Sequence, residues 1–188
     1  MSKCKECGGK NVDTEQLERY DADNELKEMG VVLVDAVERH KCPDCKATWV
    51  NIPDLPGLLA AVAVYRVMAP LKLSGHEIKF LRKVMEISAK EFAALLEVSQ
   101  ETVSRWENDK APMGPANEKL LRLTTVFRLK DSAPGVPCPP EYISKMKISP
   151  LRNINAVHKM TLYYMQALLA ADREPEGVWR EQKRVANG

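Results

Sequence analysis

The sequence lacks any long apolar segment. No stretch approaches the ~18 consecutive apolar residues that a transmembrane helix needs. The longest apolar run, residues 58–65, has the length of a buried helix or strand. The N-terminal MSKCKECGGK contains no apolar core of a secretory signal. We therefore expect a cytoplasmic protein without a membrane partner.

The sequence also lacks the residue arrangements of common active sites. Its three histidines, His40, His76 and His158, lie in unrelated contexts, and no phosphate-binding loop or Ser/His/Asp arrangement accompanies them. These histidines are expected at the surface or at helix caps. We predict that the protein is not an enzyme.

Net charge is small but unevenly distributed. The total is +2, yet residues 1–54 carry 8 basic and 12 acidic side chains, residues 55–130 carry 12 and 8, and residues 131–188 carry 8 and 6. The basic surplus of the middle segment suits an anionic partner such as nucleic acid.

Four of the five cysteines form two CxxC pairs. Cys4 and Cys7 make the first pair, and Cys42 and Cys45 make the second, with 34 residues between the pairs. A CxxC turn places two thiolates close to one ion and directs backbone amides at the sulfurs. In a cytosolic chain, two such pairs predict one structural Zn²⁺ per chain, in a closed site formed by the four cysteines.

Other interpretations of the cysteines stay open at this point. In one interpretation the cysteines are reduced thiols that bind no metal. In another they form a thioredoxin-like redox pair. His40 precedes Cys42 by two positions and offers a nitrogen ligand, although four sulfurs already complete a tetrahedron. Cys138 stands alone among prolines and is not expected to bind metal.

Local patterns predict the secondary structure of each segment. β-branched and aromatic residues at 31–34 and 47–52 predict short strands. Residues 55–130 have the spacing of consecutive helices. After the proline-rich stretch 132–140, apolar residues recur every three or four positions and predict a helix over residues 152–171.

Residues 74–130 carry the most specific pattern of the chain. The Ser-x-x-Glu sequences at 74–77 and 88–91 are predicted capping boxes, each opening a helix. Ser99 is the predicted N-cap of a further helix from about Gln100 to Asn108. Two short helices joined by a short turn form a helix-turn-helix, which places its second helix in the major groove of DNA.

The two helices of this motif have inner and outer faces. The residues expected to be buried are Phe92, Ala93, Leu95, Leu96, Val98, Val103 and Trp106. Polar side chains on the outer face suit base edges and phosphates. We predict that the DNA-binding residues are Ser99, Gln100, Glu101, Ser104, Arg105 and Lys110.

The stretch from Ile87 to Asn108, ISAKEFAALLEVSQETVSRWEN, closely resembles the Cro/repressor (XRE-type) DNA-binding family. The matching parts are the alanine of the first helix, the VSQETVSRWE stretch, and the NDK that precedes Pro112. The family often has glycine where this chain has Glu97. The resemblance implies a sequence-specific transcriptional regulator that binds its DNA operator as a homodimer.

The order of the two motifs resembles a narrower family. A CxxC…CxxC segment followed by an XRE-type domain looks like the MqsA family of toxin–antitoxin antitoxins, over about residues 1–130. This resemblance implies that the zinc domain binds a toxin, that the protein represses its own operon, and that Glu101 and Arg105 read bases. Residues 131–188 are not part of that pattern, so a free-standing regulator is the alternative.

The expected fold is therefore α+β, mainly α. It comprises a small β-rich zinc-binding domain (1–54), an all-α helix-turn-helix domain (55–130), and a proline-rich linker with a C-terminal helical extension (131–188). A different functional class stays open. In it, the protein is an interaction adaptor whose zinc and C-terminal segments bind a partner protein.

Two surfaces are candidates for the dimer seam. One is the face formed by Leu120, Leu123 and Phe127 on a fourth helix, which is predicted to start near Pro115. The other is the apolar stripe of the predicted C-terminal helix, formed by Ile154, Val157, Thr161, Tyr164 and Leu168. We favour the C-terminal stripe because it has no obvious partner in its own segment.

Overall fold

The structure, a computed structural model, describes residues 3–22, 26, 29–149, 160–166 and 177–181. They belong to two compact units, Met1–Leu55 with Lys159–Gly188, and Pro56–His158. The second unit is thus inserted into the first along the chain. No helix among these residues is both apolar enough and long enough to cross a membrane.

A mixed sheet forms the first unit. Its strands in the described ranges are β1 (Asp13–Asp21), β2 (Val31–Lys41), β3 (Thr48–Asn51), β4 (Met160–Gln166) and β5 (Gly177–Glu181). β2 is central, because it pairs antiparallel with β1 and β3 and parallel with β4. β5 then pairs antiparallel with β4. The strands predicted at residues 31–34 and 47–52 are confirmed as parts of β2 and β3.

β2 has two halves that differ in burial. Val31–Leu33 are all buried, whereas residues 35–41 include exposed as well as buried side chains. The halves meet at an irregularity in the pairing with β1, between Leu17 and Arg19, where Asp35 has a φ of 50°. A bulge of this kind changes which face of the sheet each side chain occupies.

The helix predicted over residues 152–171 is wrong in the part that the structure describes, because residues 160–166 form β4. Met160 and Leu162 are buried and lie opposite Val31 and Leu33 of β2. Strands in parallel pairs are apolar on both faces and lack a two-residue period, so spacing alone did not identify this one. Three seam residues of the predicted stripe, Ile154, Val157 and Leu168, lie outside the described residues.

Six helices build the described part of the second unit. They are α1 (Leu55–Met68), α2 (Gly75–Val84), α3 (Ala89–Leu95), α4 (Gln100–Glu107), α5 (Pro115–Leu129) and α6 (Pro140–Lys145). Both predicted capping boxes are present, at the N-termini of α2 and α3. Ile78 and Leu81 lie on one face of α2 with Met85 at its end, and all three are buried.

A buried arginine of α5 connects this helix to the segment between α1 and α2. The Arg122 guanidinium donates to the carbonyl oxygens of Val67 and Ala69 at 2.7 Å and of Leu71 at 2.5 Å. It also donates to Glu118 Oε1 at 2.8 Å, and the same oxygen accepts from the Leu73 backbone N–H at 3.0 Å. These bonds fix the chain just before α2 begins.

Candidate metal centre and nucleic-acid interface

The two CxxC turns have the same backbone conformation. In the first, the Cys4 N–H donates to the Gly9 carbonyl at 2.9 Å and the Gly8 N–H donates back to the Cys4 carbonyl at 2.9 Å. The same two bonds recur around Cys42 and Lys46 at 2.9 and 3.0 Å. Gly8 and Lys46 both have a left-handed backbone, with φ values of 75° and 65°. Glycine adopts this conformation without cost, whereas lysine does not.

All four sulfurs come together in one cluster. Every pair of Sγ atoms from Cys4, Cys7, Cys42 and Cys45 lies within 4.8 Å, and two pairs, Cys4–Cys45 and Cys7–Cys42, lie at 3.6 Å. A tetrahedral zinc site with Zn–S bonds of about 2.3 Å requires sulfurs about 3.8 Å apart. The number, type and spacing of the donors therefore fit one tetrahedral metal ion.

The electrostatics of the cluster also favour a cation. A backbone hydrogen bond from Cys7 lowers the pKa of Cys4 to about 7. A backbone hydrogen bond from Gly9 lowers the pKa of Cys7, but the neighbouring thiols of Cys45 and Cys42 outweigh it and raise that pKa to about 12. Four thiolates this close repel one another, and a bound divalent cation removes the repulsion.

His40 does not belong to the cluster. Its buried ring lies against Trp49, with ring centroids 5.3 Å apart. Its Nδ1 is 2.9 Å from Thr14 Oγ1, and its Nε2 is 3.5 Å from a carboxylate oxygen of Glu38. Both ring nitrogens thus have partners within the sheet, and His40 is a structural residue there.

The helix-turn-helix consists of α3, the connecting residues 96–99, and α4. The Val98 N–H donates to the Ala93 carbonyl at 2.9 Å and closes the turn. Phe92 and Ala93 are buried as expected, but Leu95 is 38% exposed and Val98 is only half-buried. Leu95 is the last residue of the seven-residue α3, and the residue that follows it, Leu96, is buried.

α4 presents the predicted residues to solvent. Val103 and Trp106 are buried on its inner face. Ser99 caps the helix, because its hydroxyl oxygen accepts from the Thr102 N–H at 3.1 Å. The exposed residues are Ser99, Gln100, Glu101, Ser104, Arg105 and Lys110. This set is the one predicted to bind DNA, and all six of its residues are exposed.

Arg82 of α2 connects that helix to the start of α3 and to the end of α4. Its Nε and Nη2 donate to the two carboxylate oxygens of Glu107 at 2.6 and 3.2 Å, and its Nη1 donates to the Ile87 carbonyl at 3.0 Å. The Arg82 and Glu107 side chains are only 13% and 8% exposed. The bond to Ile87 fixes the start of α3, and the bond to Glu107 fixes the end of α4 relative to α2.

The N-terminus of α2 also contacts the end of α4. The Gly75 N–H donates to Asp109 Oδ1 at 2.7 Å. A Cβ atom at Gly75 would lie 2.4 Å from the Trp106 carbonyl oxygen and 2.9 Å from the Asp109 backbone nitrogen, so only glycine fits. Sequence patterns did not reveal Gly75, Arg82 or Asp109 as residues that position α4, because each acts through a contact distant in sequence.

Comparison with known proteins identifies one module. Residues 78–130 match the family model of the helix-turn-helix. No curated protein and no solved structure matches the chain. The match covers α3 and α4, together with most of α2 and all of α5. The chain therefore carries an XRE-type helix-turn-helix and a four-cysteine cluster with the geometry of a metal site.

Proposed function

We propose that the protein is a sequence-specific DNA-binding transcriptional regulator with a structural zinc ion. The observation that supports this most strongly is the exposed polar face of α4, whose position is fixed at its end by Arg82 and by Asp109. Within the described part of the chain, the side chains of Gln100, Glu101 and Arg105 form no hydrogen bond or ion pair, so they are available to base edges.

Each residue of the interface has a proposed role. Arg105 donates to the O6 and N7 acceptors of guanine, Gln100 pairs with adenine, and Glu101 accepts from the amino group of cytosine. Lys110 follows α4 and contacts phosphate. Ser99 and Ser104 are exposed hydroxyls, and Ser99 together with the first free amides of α4 suits a phosphate oxygen.

Selection of duplexes from a random pool tests the DNA-binding proposal. The zinc-loaded full-length protein should enrich one motif, with two half-sites about one helical turn apart. Enrichment of no motif would contradict a sequence-specific regulator and would favour the interaction adaptor. Selection should be repeated at two salt concentrations, because phosphate contacts alone give binding that falls steeply with salt but shows no preferred sequence.

Zinc is the proposed occupant of the four-cysteine site. Four thiolates in a tetrahedral cluster select a soft, tetrahedral ion, and Zn²⁺ is the usual one. Four cysteine ligands leave no open coordination position on the ion. The ion therefore supports the fold of the first unit and does not take part in catalysis.

The proposed dimer seam lies on α5. Leu120 is 42% exposed and Phe127 is 77% exposed, and Leu123, on the same face of α5, is half-buried. A half-site bound by one α4 offers few base contacts, and a symmetric dimer combines the free energies of two half-sites. We place the seam here because residues 160–166 of the favoured C-terminal stripe form a strand.

Replacing Phe127 tests this seam. Phe127→Asp should raise the dimer dissociation constant at least about tenfold, because burial of a phenylalanine contributes ~1.5–3 kcal/mol on each side of the symmetric contact. Tyr142→Asp is the control, since Tyr142 is also exposed, at 49%, but lies on α6. Sedimentation that finds both variants equally dimeric would place the seam elsewhere.

An antitoxin role is the narrower form of the proposal. It is supported by the resemblance of residues 1–130 to antitoxins with the same order of motifs, and it has the first unit bind a toxin while α4 represses the operon. The neighbouring reading frame distinguishes the two forms. A small basic ribonuclease-like gene product that copurifies with this chain would support an antitoxin, and its absence would favour a free-standing regulator.

A further inference from the structure

The four ligand cysteines are not equally accessible. Cys4 and Cys42 are buried, whereas Cys7 and Cys45 are exposed. The Sγ of each exposed cysteine lies 3.6 Å from the Sγ of a buried cysteine of the other CxxC turn, with Cys45 beside Cys4 and Cys7 beside Cys42. Each pair therefore joins an exposed cysteine to a buried one, and the two sulfurs are already within van der Waals contact.

Basic residues adjoin the ligand cysteines in the sequence. Four exposed lysines directly adjoin a ligand cysteine in the sequence: Lys3, Lys5, Lys41 and Lys46. The acidic residues within the two turns are Glu6 and Asp44. Lysines therefore outnumber carboxylates here, although residues 1–54 as a whole are acidic. A bound divalent cation keeps the cysteines in the thiolate form, and accessible thiolates are the ones that react with oxidants.

We propose that the four-cysteine metal site is also an oxidation site. Peroxide converts its four thiolates into the disulfides Cys4–Cys45 and Cys7–Cys42 and releases the metal. The proposal rests on the zinc site proposed above and goes beyond its structural role. The sulfurs of each pair must approach from 3.6 Å to the ~2.05 Å of a disulfide, a shift of about 1.5 Å.

The reaction is balanced with peroxide as the oxidant. An exposed thiolate attacks one oxygen of hydrogen peroxide, the O–O bond breaks, and hydroxide leaves, which gives a sulfenic acid. The buried partner thiolate then attacks the sulfenic sulfur and expels a second hydroxide, which forms the disulfide. Two peroxides thus take four electrons from four thiolates and yield two disulfides, four hydroxides and one free Zn²⁺.

The proposed pairing has a distinct topology. Both disulfides join one CxxC turn to the other, so the N-terminal turn stays attached to the turn between β2 and β3 after the metal leaves. Disulfides within each turn, Cys4–Cys7 and Cys42–Cys45, would instead leave no covalent bridge between the N-terminal turn and the turn between β2 and β3. A dithiol reductant with added Zn²⁺ reverses either pairing, because disulfide formation is the reversible step of thiol oxidation.

Zinc release from the full-length, zinc-loaded protein tests the proposal. Metal content is first measured in the reduced protein, then a chromogenic zinc chelator follows release during titration with hydrogen peroxide. We expect one zinc per chain to be released by about two equivalents of peroxide. Peptide mapping by mass spectrometry under non-reducing conditions should identify the Cys4–Cys45 and Cys7–Cys42 bridges.

The outcomes separate this proposal from the one on which it rests. Reduced protein without zinc would overturn the metal site itself. One zinc that peroxide does not release, or bridges only within each turn, would overturn the oxidation proposal and leave the metal site intact. Cys138→Ser serves as the control, since it removes the remaining thiol. The proposal requires this variant to release zinc at the wild-type rate.

Discussion

At the scale of single residues, a left-handed backbone conformation marks the ends of α2, α3 and α4. Glu86, Glu97 and Asp109 follow α2, α3 and α4 with φ values of 56°, 52° and 54°. A residue in this conformation ends a helix and reverses the chain direction. Glycine normally occupies such positions, and for other residues the conformation costs ~1–2 kcal/mol. The chain tolerates this strain at three consecutive turns.

Glu97 tests the cost of this conformation. We expect Glu97→Gly to raise the free energy of unfolding by about 0.5–1 kcal/mol, because relief of the left-handed strain exceeds the backbone entropy that glycine loses on folding. The matched control is Ala94→Gly, at an exposed position inside α3, which should lower it by ~1 kcal/mol. Chemical denaturation measures both. Equal losses in the two variants would show that Glu97 is not strained.

At the scale of secondary-structure elements, α4 depends on α2 for its position. The nearly buried pair Arg82–Glu107 has both oxygens of the carboxylate engaged. Loss of one member leaves the other charge desolvated and unpaired. The exposed pair Arg39–Glu15, in which the side chains are 48% and 66% exposed, lacks this penalty. The two pairs therefore serve as a matched comparison.

Arg82→Ala should lower the free energy of unfolding by about 2–4 kcal/mol, whereas Arg39→Ala should change it by less than about 1 kcal/mol. The double variant Arg82→Ala/Glu107→Ala should recover part of the loss, because it removes the unpaired carboxylate. Denaturant titrations of the three variants check the prediction. A similar, small effect of both single changes would mean that α2 does not hold α4 through this pair.

Local signals explain which elements could be predicted from the sequence. The helices α2, α3 and α4 begin at serine caps, and their buried faces follow a helical period, so residues close in sequence determine them. β1 was not predicted, because it is a charged edge strand in which only Leu17 is buried. β4 was predicted as a helix, because its burial depends on pairing with β2, far away in sequence.

In the candidate sites, too, some residues are indicated by local sequence signals and others depend on contacts distant in sequence. CxxC spacing is a local signal, and the four predicted sulfurs do come together. The exposed face of α4 follows from its period, and all six predicted residues are exposed. The contacts that orient α4 join residues up to 34 positions apart, such as Gly75 and Asp109, and no short pattern indicates them.

At the scale of the whole molecule, the chain leaves the sheet unit after β3, forms the helical unit, and returns to add β4 and β5. β4 pairs with β2 over Val31–Val34, the half of β2 that is most buried. The Trp179 indole N–H of β5 donates to the Asp54 carbonyl at 3.2 Å, close to where the chain leaves the first unit. A truncation ending at Lys130 therefore removes two strands of the sheet unit as well as α6.

If the exposed face of α4 reads DNA sequence, substitutions on that face should change which bases the protein prefers in the selected motif. Fluorescence anisotropy should compare wild type, Arg105→Ala and Lys110→Ala on the motif, on each single-base variant of it, and on unrelated DNA. We predict that Arg105→Ala loses ~1–3 kcal/mol of discrimination between bases at one base pair per half-site, and that the preferred base at that position is guanine. Lys110→Ala should weaken binding to all sequences alike and reduce the salt dependence. Wild-type discrimination at every base pair in Arg105→Ala would contradict the account.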